Sequence, residues 1–367
     1  MAEKDYVIIP MDRLGVVGTQ KDIAGAIRFI NTLIDAGKEV SWLIRPARIF
    51  TDDFPEGHIY SPGGFIIKAE PEICEQLKNS EIVHSFITSS FEMQIKIDRK
   101  RIALYTGKGA ADFCTKPLIE VLELTGFRHE CLNDKDIRSG LLKEFDVFLV
   151  PGGPDAGESY YWGLGDQGYN NIKEFVNDKG SYFGICAGAY LPLTSLSEDN
   201  RYWLNLIDAT DDQELDYWRT GTGFVRVRVV ENMHPFAFGV ATGSVNTFDI
   251  VYWEGPAIKI LRDSVKILAR FDEFIASGTN TDYPRWNLLD NTPAKDSIDN
   301  WYNILTRDRF NKYLRDNAAF VETKINGNKM ILYSPHAEFG SIGITQRKDS
   351  QVFQLITNGL FYLSICI

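Results

Sequence analysis

Cysteine is scarce in this chain and scattered along it. Cys74, Cys114, Cys131, Cys186 and Cys366 form no Cys-x-x-Cys pair and are odd in number. That pattern excludes a disulfide framework or a cysteine-rich zinc module, and it suits a reducing cytoplasm. Histidine is as sparse. His58, His84, His129 and His234 have no second ligand-type residue at metal spacing, so each reads as a surface or satisfied core residue and no metal site is expected. No apolar run of about 18 residues occurs, and the chain opens Met-Ala-Glu-Lys-Asp, so neither a membrane span nor a signal peptide is expected. Positive charge is in deficit. The 39 Lys and Arg against 50 Asp and Glu leave a net charge of −11, which opposes binding to nucleic-acid phosphates. Repeats and low-complexity tracts are absent.

What is present is ordinary for a globular protein. The 367 residues are 44% hydrophobic and 24% charged, long enough for two domains with a core each. Periodicity gives strands at Tyr6–Pro10, Glu39–Ile44 and Ile82–Ile87, with helices at Ile23–Ala36 and Pro71–Leu77. From Arg101 onward strands and helices alternate: strands at 101–105, 146–150 and 181–185, helices at 116–125 and 169–177. Such alternation means a mostly parallel, doubly wound sheet in an α/β fold, with ligands at the carboxyl ends of its strands. Residues 219–271 instead read as an antiparallel excursion, led by the period-two run Phe224–Val229. Residues 276–320 read as an insertion with helices near 294–305 and 309–319. Asn326-Gly327 signals a hairpin, and 350–364 a closing helix.

The densest chemistry lies in Ser181-Tyr-Phe-Gly-Ile-Cys-Ala-Gly-Ala-Tyr190. A short apolar strand runs into a glycine-flanked Cys186 and then a small-residue helix, the pattern of a nucleophile elbow with sulfur in place of a serine oxygen. A helix N-terminus there would favour an anionic sulfur. A buried cysteine beside a tight turn is the alternative. Two further strands end in reactive geometry. Val147–Val150 leads to Pro151-Gly152-Gly153-Pro154, whose glycines can turn backbone N–H groups into a cavity as an oxyanion hole requires. Met330–Tyr333 leads to Ser334-Pro335-His336-Ala337-Glu338. If that segment is extended, His336 and Glu338 share a face and the carboxylate can fix the imidazole tautomer.

In order, Pro-Gly-Gly, Gly-x-Cys-x-Gly and Pro-His-x-Glu resemble the class I glutamine amidotransferase superfamily. Gly184–Tyr190, Val150–Gly153, Tyr105-Thr106-Gly107-Lys108-Gly109-Ala110 and Val251–Pro256 are similar to the amidotransferase-like N-terminal domain of biotin–protein ligases. The resemblance spans roughly 100–270 and 320–367. It divides the chain into a small N-terminal α/β domain, 1–97, and an amidotransferase-like domain, 98–367. It implies a Cys186-His336-Glu338 triad, with oxyanion donors from Gly152, Gly153 and Ala187. It also implies a small-molecule or peptide-like amide substrate and allows for an ammonia-accepting partner protein. No cofactor is required. Where the family carries Gln, this chain has Tyr190, and His-Pro-Glu is here His336-Ala337-Glu338. Glutamine is therefore not implied as the substrate, and without a biotin-ligase module neither is ligation.

Gly107, Lys108 and Gly109 follow a strand and could cradle an anion or form a tight turn lining the pocket; they are no Walker A motif. Glu158, Tyr160 and Tyr190 are further pocket candidates. Asp208, Asp211, Asp212, Glu214 and Asp216 lack EF-hand spacing and read as a solvated loop. The sequence thus points to a cysteine hydrolase or amidotransferase-like enzyme acting on a carbon–nitrogen bond. The competing reading is a non-catalytic binding or redox-sensing protein on the same fold. The N-terminal unit or the insertion is expected to cover the Cys186 pocket as a lid, the alternative being an oligomerisation surface or a domain docked at the opposite edge of the sheet.

Overall fold

Ile102–Tyr105 and Val147–Val150 are apolar at nearly every position, as strands buried on both faces must be. The computed structural model describes residues 5–11, 20, 22–87, 94–196, 201–212, 220–241, 246–277, 305–339 and 352–365. Its N-terminal part holds β1 (Tyr6–Ile9), β2 (Val40–Leu43), β3 (Ala47–Ile49), β4 (His58–Tyr60), β5 (Phe65–Lys68), β6 (Ser85–Ile87) and β7 (Gln94–Lys96). Five of these form a sheet in the order β6-β1-β5-β2-β7, antiparallel throughout, and β3 pairs with β4. Helix α1 (Ile23–Asp35) is N-capped by Asp22, whose carboxylate accepts from the Gly25 N–H at 2.8 Å. Helix α2 (Pro71–Lys78) buries Ile73 and Leu77.

The second sheet contains β8 (Ile102–Tyr105), β9 (His129–Leu132), β10 (Val147–Val150), β11 (Ser181–Ile185), β12 (Ala209–Asp211), β13 (Thr222–Val229), β14 (Thr247–Trp253), β15 (Ile258–Ile260), β16 (Lys266–Ser277), β17 (Ala318–Ile325) and β18 (Asn328–Tyr333). Its order is β14-β13-β16-β17-β18-β11-β10-β8-β9, with β12 and β15 attached beside β17. From β9 to β18 the pairings are parallel. Beyond β18 they are antiparallel. Helices α3 (Asp112–Thr125), α4 (Asp134–Arg138), α5 (Glu158–Asp178), α6 (Ala187–Tyr190) and α7 (Gln354–Leu363) complete the described core. None of the described helices is long and apolar enough to cross a membrane.

Several elements differ from expectation. The helix expected at 169–177 starts earlier, at Glu158, and Gly165, at φ 57°, kinks it. The helix expected at 309–319 ends at Leu314, because Ala318 already belongs to β17. The β17–β18 hairpin turns on Asn326 and Gly327, both at positive φ (51° and 88°), as a two-residue hairpin loop demands. The expected helix near 294–305, apart from Leu305, lies outside the described residues. Within the acidic run Asp208 and Asp212 are solvent-accessible as expected, but Asp211 ends β12 and is buried. Asp211 is 1% exposed, and its carboxylate accepts from the Ala257 N–H at 2.9 Å.

Residue 97 is our proposed boundary between the two sheets, but the core does not break there. One apolar cluster runs from Trp42 and Phe65 through Phe238 and Phe361 to Phe183 and Tyr333. The Trp42 ring meets Phe238 edge-on at 5.4 Å and Phe361 at 5.8 Å, and Asn31 donates to the Thr125 carbonyl at 2.8 Å. The N-terminal unit is therefore welded to the face of the central sheet that carries α3 and α7.

Candidate active site

Parallel pairing explains why distant motifs meet. β10, β11 and β18 are adjacent, with Val150 opposite Gly184 and Ile185 opposite Tyr333. Their carboxyl ends stand in a row, so Pro151-Gly152-Gly153, Cys186 and Ser334-Pro335-His336 emerge side by side. Cys186 lies at φ 54°, ψ −115°, a strained conformation for a residue with a Cβ, and its N–H donates to the Tyr333 carbonyl at 2.9 Å. The flanking glycines are required by space. A Cβ on Gly184 would lie 2.2 Å from the Gly188 carbonyl oxygen, and one on Gly188 2.2 Å from that of Val150. The helix after Cys186 is a single turn, Ala187–Tyr190. Charge stabilisation at this end therefore comes from a few local N–H groups, with little contribution from a long helix dipole.

Gly152 marks the meeting point. A Cβ built there would lie 2.8 Å from Cys114 Sγ, 3.1 Å from His336 Cε1 and 3.3 Å from Cys186 Cβ. His336 is 1% exposed, and its N–H donates to the Val251 carbonyl at 2.8 Å. Its ring stacks on Phe339 at 4.6 Å. Nδ1 donates to Glu338 Oε1 at 2.7 Å, since a carboxylate can only accept. The segment is not extended as expected. Ala337–Phe339 is a 3₁₀ turn, and it is this turn that brings Glu338 back to the ring. Nε2 makes no hydrogen bond of standard geometry among the described residues. Burial disfavours charge on the imidazole. Negative charge on Cys186 and Glu338, with the hydrogen bonds to Cys186 and Glu338, outweighs burial and raises the pKa to about 10.

A cavity of about 210 Å³ opens over this point. Cys114, Gly153, Cys186, Ala187, Tyr190 and His336 all line it. Phe113 and Trp253 stack at 4.7 Å to form an aromatic wall. Among the described residues, no backbone hydrogen bond uses the N–H of Gly153 or Ala187. The sequence reading missed β14 as part of this site. Cys186 Sγ lies 3.3 Å from the Trp253 carbonyl, and the Tyr190 hydroxyl donates to the Glu254 carbonyl at 3.3 Å. The signal was there in Val251–Pro256, which carries the family resemblance. Cys114 was missed as well. It sits on α3 more than 70 residues before Cys186, and nothing local marks it; burial, Glu338 and Cys186 raise its thiol pKa well above the ordinary value.

Other expected pocket residues lie elsewhere. Gly107, Lys108, Gly109, Glu158 and Tyr160 are not among the residues lining the cavity. The Gly107–Gly109 turn is closed on its own neighbours. The Lys108 N–H donates to Asp134 at 3.1 Å and the Gly109 N–H to the Tyr105 hydroxyl at 3.1 Å. An anion would have to displace that carboxylate. Tyr160 is fully buried and donates to the Pro151 carbonyl at 2.6 Å, bracing the Pro-Gly-Gly turn from beneath. Gly152 does not line the cavity either. No described residue of 1–97 does, so that unit's described part is no lid. Residues 278–304 of the insertion lie outside the described residues.

Residues 101–224 match the family described as biotin-protein ligase, N terminal. No curated protein matches the chain. Among solved structures, PurLQS from Thermotoga maritima is similar at 16% identity and TM-score 0.39, over 71% of this chain and 99% of its own. A glutamine amidotransferase from the same organism is similar at 10% identity and TM-score 0.38, over 66% of this chain and 77% of its own. Residues 101–224 are thus similar to the N-terminal family of biotin-protein ligases, a match that covers less than half of the chain.

Proposed function

We propose that this protein is a cysteine-nucleophile hydrolase or amidotransferase-like enzyme acting on an amide carbon–nitrogen bond. The observation that carries the reading is the buried His336–Glu338 pair at Cys186. A binder has no need of a base held by its own carboxylate beside a cysteine. Cys186 attacks the amide carbon as its thiolate. The carbonyl π electrons move to oxygen, and the N–H groups of Gly153 and Ala187 receive that charge, each donor contributing about 3–4 kcal/mol in precedents. His336, protonated at neutral pH, gives its Nε2 proton to the leaving nitrogen. The amine departs and a Cys186 thioester remains. Neutral His336 then takes a proton from water, whose oxygen displaces the sulfur and releases the acid. Glu338 keeps the Nδ1 proton in place throughout.

The lining selects against glutamine. Tyr190 stands where the family carries an amide side chain, and its hydroxyl is engaged by Glu254. The Phe113–Trp253 wall suits a substrate with a flat or apolar group beside its amide. Whether the released ammonia or amine passes to a partner protein belongs to the same proposal. The test is mass spectrometry of the full chain after rapid quenching with a panel of primary and aryl amides. An acyl adduct on the Cys186 peptide, absent in Cys186→Ala and formed much more slowly in His336→Ala, is the expected result. Slow alkylation of Cys186 by iodoacetamide relative to Cys74 and Cys131, with no adduct from any amide, would overturn it.

A further inference from the structure

We propose that Tyr160 and the Gly107–Gly109 turn are positioning groups that lock the peptide planes of Pro151-Gly152-Gly153, so that the Gly153 N–H is aimed into the cavity before any substrate or partner protein binds. The inference rests on the reading of Cys186 as an amide-attacking nucleophile and names what keeps its oxyanion donor assembled. Two carbonyls of the turn are pinned. The Pro151 carbonyl accepts from the Tyr160 hydroxyl at 2.6 Å, and the Gly152 carbonyl accepts from the Ala111 N–H at 3.0 Å. In a trans peptide the C=O and the following N–H point in opposite directions. Holding the Gly152 carbonyl on Ala111 therefore turns the Gly153 N–H away from Ala111. Gly153 lines the cavity, and no backbone hydrogen bond among the described residues uses that N–H. A flipped peptide would lose the Ala111 bond and present a carbonyl oxygen, which repels an oxyanion.

The Gly107–Gly109 turn closes the lock from the other side. A Cβ on Gly153 would collide with the Gly109 carbonyl oxygen, so the two backbones touch and have no room to swing. Gly109 is held in turn. Its N–H donates to the Tyr105 hydroxyl at 3.1 Å, and that hydroxyl donates to Asp134 at 2.6 Å. The Tyr160 ring lies against Gly109, where a Cβ would strike it, and stacks on Tyr105 at 5.4 Å. Tyr105 and Tyr160 are fully buried, and neither lines the cavity, so they act on the reaction only through the turn. This layer gives a role to a glycine turn and a tyrosine that stand outside the cavity. Each of its hydrogen bonds is internal to the chain, so the donor is in place without a partner to turn it.

The experiment compares the full chain with Tyr160→Phe and Tyr105→Phe, each of which loses one hydroxyl and keeps its ring. Two reactions of Cys186 separate the donor from the nucleophile. Phenylacetaldehyde probes the donor: sulfur bonds to the carbonyl carbon, the π electrons pass to oxygen, and a proton from His336 completes a hemithioacetal with no leaving group. Iodoacetamide probes the thiolate alone, because sulfur displaces iodide at a saturated carbon and no oxyanion forms. The expected result is a hemithioacetal in the isolated wild type, an aldehyde affinity about tenfold to a hundredfold lower in Tyr160→Phe, and an alkylation rate unchanged within about twofold. Tyr105→Phe loses aldehyde affinity in the same direction and by less. Tyr161→Phe, whose hydroxyl donates to Asp166 at 3.0 Å, leaves both reactions unchanged. Circular dichroism checks folding, and Tyr105→Phe carries the comparison if Tyr160→Phe is unfolded. Equal aldehyde affinity in the wild type and the folded variants, parallel losses in both reactions, or no hemithioacetal in the wild type would overturn the proposal. Aldehyde discrimination with no acylation by any amide would support the locked donor and refute the amide reading.

Discussion

Gly188→Ala tests the docking of the elbow against the Pro-Gly-Gly turn. The new methyl would lie 2.2 Å from the Val150 carbonyl oxygen and 2.9 Å from that of Pro151. Even an attractive C–H···O contact needs about 3.3–3.6 Å, so the two segments must part by about 1 Å. Both obstructing atoms are backbone, and no side-chain rotation relieves them. Overpacking that displaces movable groups costs about 1–3 kcal/mol, so about 3 kcal/mol is expected here. For a chain of this length that lowers Tm by roughly 4 °C. The displacement also moves Gly153 away from Cys186, and a 1 Å error in such a constellation costs about 10²-fold in rate. Thermal unfolding followed by circular dichroism reads the first effect. The rate of acyl-adduct formation on Cys186, well below Tm, reads the second. Gly327→Ala is the control: nothing lies within 4 Å, and only its φ of 88° opposes a Cβ. It should lose about 1–2 kcal/mol through backbone strain and keep the reaction rate. A Gly188→Ala protein with Tm within about 2 °C of wild type and an unchanged rate would refute the reasoning.

Three further outcomes are expected. Because His336 is raised from 6.5 to about 10 on folding, its contribution is complete below about pH 6.5 and is lost as pH rises toward 10. Tm should fall across that window and fall less in Glu338→Gln, which keeps the shape and removes the charge; superimposable profiles would contradict this. Glu322 behaves in the opposite sense. Burial pushes its carboxyl up, but the His234 and Tyr362 hydrogen bonds and the nearby Lys266 lower it to about 2. Up to about 3 kcal/mol present above pH 4.5 should therefore disappear as pH falls toward 2, with a shallower loss in Tyr362→Phe. Trp42→Ala, at a fully buried ring between Phe65, Phe238 and Phe361, should cost about 3–5 kcal/mol yet leave Cys186 alkylation unchanged in the folded protein. A faster alkylation would mean that the N-terminal unit shields the cavity after all.

Much of the parallel half was legible because its signals are local. Val147–Val150 and Ser181–Ile185 are short apolar runs that end in glycine turns, and both are strands at those positions. Asn326-Gly327 can supply the positive φ values that a hairpin loop requires, and it does. The start of α5 was illegible because Glu158–Trp162 is polar and aromatic with no apolar period, and its helix is stabilised by packing. Tyr160 is held by Pro151, a contact that no local pattern encodes.

The candidate site divides along the same line. The chain by itself determined the elbow, since a cysteine at positive φ between glycines in contact with neighbouring carbonyls leaves few other sequences that fit. Only the tertiary structure decided what surrounds it. β14 returns across the sheet to hold His336 through Val251 and to set Trp253 over the sulfur, a pairing between residues about 85 positions apart. The same folding brings Cys114 from α3 to Gly152, and engages the Lys108 N–H of the Gly107–Gly109 turn with Asp134, where the sequence left a tight turn or an anion cradle open. Local sequence fixes backbone turns because steric limits act between neighbours. Which side chains share a cavity is set by sheet order, and that is settled by the burial of the whole core.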